Sequence, residues 1–170
     1  MGSIEVFDKY YIEYEKWFEE NKNIYLCIHF YLMSTLKEKS EMNINAARVL
    51  TGDKELCSAS IHCAYYSCYQ LLLHIWFYSL MKSGTDLNFI INKHKGNKAQ
   101  IKGSHETLIN EIQKYIKENN YDDFRVINKS IGQLRKLRIS ADYEDNSFLY
   151  NDSLKAIELS KRIRPILKKY

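Results

Sequence analysis

The stretch KELCSASIHCAYYSCYQLLLHIWFYSLMKSG, from Lys54 to Gly84, decides the fold. Its apolar residues fall on every side of a helical wheel, and a helix that is hydrophobic all round must be surrounded by protein. Small residues crowd its first half (Ser58, Ala59, Ser60, Cys63, Ala64 and Ser67), so another helix can approach closely. The most apolar part carries Gln70 and His74. It also falls short of the ~20 residues that a membrane span requires. A chain of this length encloses such a helix comfortably only with help, so a homodimer is expected across Ala59, Ser60, Cys63 and Ser67, each copy presenting the same face.

The flanks are amphipathic. Ile4, Phe7, Tyr10, Tyr11, Tyr14, Trp17 and Phe18 recur at helical steps behind Ser3, and Asn21 to Asn23 interrupt them. A second pattern (Ile28, Leu32, Leu36) follows, with a break expected between Ser40 and Asn45. Gly52 then ends one helix and Asp53 caps the next. Residues 83–103 hold Gly84, Gly96 and Gly103 with Lys93, Lys95, Lys98 and Lys102, and read as one long basic loop, most of its lysines in 92–102. Beyond it, Ser104 is expected to cap a helix bearing Leu108, Ile109, Ile112, Tyr115 and Ile116, which Asn119-Asn120 end. Phe124, Ile127, Ile131 and Leu134 mark the next helix. A last one from about Asp152 carries Ala156, Leu159, Ile163 and Ile166 and is shortened or kinked by Pro165. The expected fold is all-α: an antiparallel helical bundle forming one domain over 1–170, with 1–40 as a helical N-terminal extension.

Composition agrees with that class. Of 170 residues, 45% are hydrophobic and 27% charged, which excludes collagen-like and disordered chains. With Gly 6 and Pro 1 there is too little turn punctuation for a many-stranded β fold. The net charge of +4 is no nucleic-acid signature by itself. The loop lysines and the C-terminal group (Lys161, Arg162, Arg164, Lys168, Lys169) are either solvated faces or phosphate contacts. The start, MGSIEVFDKY, is charged where a secretory leader needs an apolar run, so a cytoplasmic protein with no membrane partner is expected. Cys27, Cys57, Cys63 and Cys68 take no paired spacing and read as reduced thiols. No zinc pattern, Gly-rich phosphate loop, HExxH, GxSxG or dinucleotide fingerprint is present, and neither metal nor cofactor is expected.

Arg138 departs from the packing pattern. The stripe Phe124, Ile127, Ile131, Leu134 continues at positions 138 and 141, which puts an arginine in an inward register. A buried guanidinium must be paired, and Asp142 lies one turn on. Either the two form a helix-surface pair, or Arg138 is held in a partly dry groove where its fork can grip phosphate or carboxylate. His62, Tyr66 and Gln70 follow one another by single turns on the central helix. They either line a polar pocket facing Arg138 or are satisfied polar groups of the core or dimer face. His105, in a helical first turn, either stands at an anion site or is an ordinary first-turn residue. His29 and His74 read as packing residues and His94 as part of the basic loop.

The strings SIHCAYYSCYQ, KGSHETLI and RISADYED, in this order, resemble the HEPN superfamily, small helical domains of prokaryotic defence and toxin–antitoxin loci. In one branch a Tyr-Tyr helix precedes a loop ending in Ser-His, and an Arg, three residues, Asp-Tyr motif follows. Here these positions are Tyr65-Tyr66, Ser104-His105, and Arg138 with Asp142-Tyr143. The resemblance spans residues 41–165. It implies a bundle that dimerises and brings motifs of two subunits together. Many members are metal-independent RNases whose signature is Arg, four to six residues, then His. In this chain the fifth residue after Arg138 is Tyr143, and a phenol of ordinary pKa ~10 is a poor general base near neutrality. Arg138, Asp142 and Tyr143 then fit the binding of nucleotide or RNA. The alternatives are a non-catalytic partner of a minimal nucleotidyltransferase, with Tyr143 or another exposed Tyr modified, or an RNase to which His105 or His62 supplies a base from elsewhere in the dimer.

Overall fold

The computed structural model describes residues 35–95, 103–144 and 150–170, without the side chains of His94 and Lys95. A boundary between units falls after Thr35, the first residue of the first helix below, and all else described belongs to Leu36–Tyr170. The patterns read from Ile4 to Leu32, with Cys27 and His29, lie outside the described residues, as do Lys98 and Lys102.

Every described element is helical, and no strand occurs among the described residues. Helix α1 covers 35–50. A 3-10 turn, Lys54–Leu56, leads into α2 (Cys57–His74), which widens into a π turn at Ile75–Ser79. Then come α3 (Gly84–Lys95), α4 (Ser104–Asn119), α5 (Tyr121–Tyr143) and α6 (Tyr150–Leu167). No described helix is long and apolar enough to cross a membrane.

Helix α2 is the axis of this bundle and packs on α4, α5 and α6. Ile61, Tyr65, Leu71, Leu72 and Trp76 are enclosed in one core with Ile112, Ile116, Ile127, Ile131, Leu134 and Ile163. The small residues of α2 do what small residues allow, but within the chain. Ser60 donates to the Ala47 carbonyl at 2.8 Å, the Ser67 carbonyl accepts from Ser40 at 2.6 Å, and the Ala64 carbonyl accepts from Ser160 at 2.9 Å. So α1 and α6 supply close neighbours that had been sought in a second copy, while Ala59 stays exposed and Cys63 half-buried.

Several local expectations need correcting. No break separates Ser40 from Asn45: α1 runs through, because Ser40 turns inward to α2 and is fully buried. The supposed basic loop begins as helix α3. Ser83 caps it reciprocally: its N–H donates to Asp86 at 2.6 Å, and its hydroxyl accepts from the Asp86 N–H at 3.2 Å. Ser104 is the first helical residue of α4; Gly103 occupies the cap position, where its carbonyl accepts from the Thr107 hydroxyl at 3.1 Å. Pro165 lies within α6, which continues to Leu167. Arg164 is neither a solvated nor a phosphate-facing cation. It is buried, bonded to Ser40 and paired with Glu41 at 2.7 Å. Asp53 caps as expected, its side chain accepting from the Glu55 N–H, and Asn120 caps α5, accepting from the Asp122 and Asp123 N–H groups.

Candidate functional site

Three helices bring the six sequence candidates into one cluster. The inward register of α5 holds for Arg138, whose side chain is 13% exposed, with Asp142 at 16%. The pair is half-buried. Asp142 Oδ2 lies 2.6 Å from Arg138 Nε. The contact is ionic, because the Nε–H does not point along it and makes no hydrogen bond. The other end of the guanidinium donates from Nη2 to the Tyr66 hydroxyl at 3.3 Å. Its carbon lies 5.7 Å from the ring centres of Tyr65 and Tyr66 and 5.3 Å from that of Tyr143, within cation–π range.

The central helix contributes His62 and Tyr66, one turn apart and stacked at 4.5 Å. His62 Nδ1 approaches Asp142 at 3.0 Å to Oδ1 and 3.3 Å to Oδ2. An ionised carboxylate only accepts, so in this contact Nδ1 carries the hydrogen. Gln70 takes no part in these contacts. From α4 comes His105, whose Nδ1 shares a 2.9 Å hydrogen bond with the Tyr65 hydroxyl while its ring stacks on Tyr69 at 4.0 Å. Arg135, one turn before Arg138, pairs with Glu106 at 3.2 Å.

The charges are set by these neighbours. Burial works against the Arg138 charge, but Asp142, helped by the phenols of Tyr66 and Tyr143, outweighs it and holds the guanidinium above its ordinary pKa. His105 shifts the other way: burial lowers its pKa, and Arg138 and Arg135 lower it further, so its neutral form is favoured. Burial also raises the Tyr65 and Tyr69 phenols, which stay protonated. Asp142 therefore serves two cation-forming groups at once, and His105 offers a neutral imidazole beside two arginines.

Tyr69, Arg135 and Glu106 are members that the sequence reading does not name, and Tyr65 enters it only as a motif position. Their signal was the spacing itself: Tyr65 and Tyr69 are one turn apart, and Arg135 precedes Arg138 by three residues. Within the one chain His62 reaches Asp142 and His105 packs against Tyr66. Among the described residues no three His, Cys, Asp or Glu side chains are grouped to hold a metal. A shallow groove lined by Asn110, Lys114, Phe124 and Asn128 lies elsewhere on α4 and α5 and shares none of these residues. No protein-family model, curated protein or solved structure matches the chain.

Proposed function

We propose that this is a HEPN-like domain that binds the phosphate of a nucleotide or RNA at Arg138, as part of a cytoplasmic prokaryotic defence or toxin–antitoxin system. The placement of a half-buried Arg138 among two histidines and three tyrosines supports it most: an arginine kept charged in a partly dry setting suits an oxyanion. The tyrosine rings beside it offer stacking faces for bases. Mononucleotides and short RNA, titrated against wild type and Arg138→Ala, test this. Wild type should bind at sub-millimolar concentration, and the variant should lose at least about tenfold, the worth of one charge-assisted contact. No binding by wild type overturns the reading.

Tyr143 favours a second reading. It is 73% exposed, while Tyr65, Tyr66 and Tyr69 are buried or half-buried. Its hydroxyl is thus open to modification by a minimal nucleotidyltransferase, with this domain as the non-catalytic partner. Incubation of the two proteins with ATP should add one nucleotide to the intact mass, and Tyr143→Phe should abolish the addition. An unchanged wild-type mass sinks it.

A further inference from the structure

We infer that phosphate binding at this site works by exchange of a carboxylate: the incoming phosphate takes Arg138 from Asp142, and Asp142 passes to His62, which takes up a proton from solvent. The inference rests on the phosphate-binding reading above and adds how the site is controlled.

The geometry shows one carboxylate divided between two claimants. Asp142 Oδ2 lies 2.6 Å from Arg138 Nε and 3.3 Å from His62 Nδ1, and Oδ1 lies 3.0 Å from the same imidazole. With His62 neutral, Arg138 and Asp142 cancel, and the trio offers no net charge to an anion. Moving Arg138 onto a phosphate would strand Asp142 in a partly dry setting beside a neutral ring, and an uncompensated buried charge is strongly disfavoured. A proton on His62 removes that obstacle. Its side chain is 45% exposed, so the proton can arrive directly from water.

The other groups facing the cluster are poorer recipients. On α4, His105 is turned to Tyr65 and flanked by Arg135 and Arg138, so protonation there adds a third positive charge. Glu106, also on α4, is held by Arg135 of α5. The phenols of Tyr65, Tyr66 and Tyr69 on α2 and Tyr143 on α5 have no proton to gain. His62 is left as the site of uptake.

Linkage fixes the sign: if binding takes up protons, affinity rises as pH falls, by up to about tenfold per pH unit when one full proton is taken up. Oligouridylate is a suitable probe because its phosphodiesters and bases do not titrate near neutrality. Its binding heat, measured by calorimetry in two buffers of different ionisation enthalpy, gives the proton count directly. Wild type should take up a large fraction of one proton, with affinity about three- to tenfold higher at pH 6.5 than at pH 7.5. His62→Gln should bind without uptake, and His105→Gln should keep it. Asp142→Asn, which frees Arg138, should bind more tightly than wild type and with no pH dependence. Wild-type binding without proton uptake overturns the exchange alone, as does uptake that survives His62→Gln. Failure of oligouridylate to bind wild type overturns the phosphate-binding reading and the exchange with it.

Discussion

His74 has none of the partners that His62 and His105 possess. It lies buried at the end of α2, its Nδ1 has no hydrogen-bond partner among the described residues, and its ring sits 5.0 Å from Tyr78. Burial, assisted by Lys37, lowers its pKa to about 4. In the unfolded chain an imidazole titrates near 6.5. Because the folded value is depressed, stability is fully present above the unfolded pKa and drains away as pH falls toward the folded one. Denaturant midpoints should therefore fall between pH 6.5 and 4, and His74→Phe should flatten that limb while changing little at pH 7.5. An acid limb equally steep in the variant would assign the loss to other groups. Arg138 was legible in the sequence because a charge on an apolar stripe has no packing explanation, and His62 and Tyr66 were legible as its facing residues. Tyr69 and Arg135 were not. Periodicity tells which residues share a helix face, but which helix lies opposite depends on how whole helices pack.

Helix α5 must hold Arg138, Asp142 and Tyr143 in register, yet it contains Gly132 on its exposed side. A methyl group added there meets nothing within 4 Å. Gly132→Ala should therefore stabilise the protein by about 0.5–1 kcal/mol through helix propensity alone. The denaturation midpoint should rise and ligand affinity should stay unchanged; a lower midpoint would mean that the glycine has a backbone role. The same physics explains which elements the sequence revealed. The apolar stripes of α4, α5 and α6 were long and regular enough to read directly. Helix α3 was hidden because Gly84 looked like a breaker, although Ser83 and Asp86 form its cap and Leu87 buries against the core. The continuity of α1 was hidden by its polar residues, since Ser40 reaches α2 through a hydrogen bond and not through an apolar side chain.

Across the whole molecule, the proposal of a homodimer narrows. Ser60 and Ser67 are committed to α1, and Ala64 to α6, so the available part of the expected face is the edge with Ala59 and Cys63. Cys63→Arg should convert dimer to monomer by light scattering, and a wild type already monomeric at about tens of micromolar would overturn the dimer. The cluster around Arg138 depends on distant parts of the chain: His62 meets Asp142 across 80 residues, Tyr66 meets Arg138 across 72, and Tyr65 meets His105 across 40. Contacts of such separation form only after long loops close. During synthesis, α2 therefore leaves the ribosome with half of a site and nothing to complete it. A chain that stops anywhere before Asp142 lacks the carboxylate shared by Arg138 and His62, so the cluster is completed only once α5 has been made.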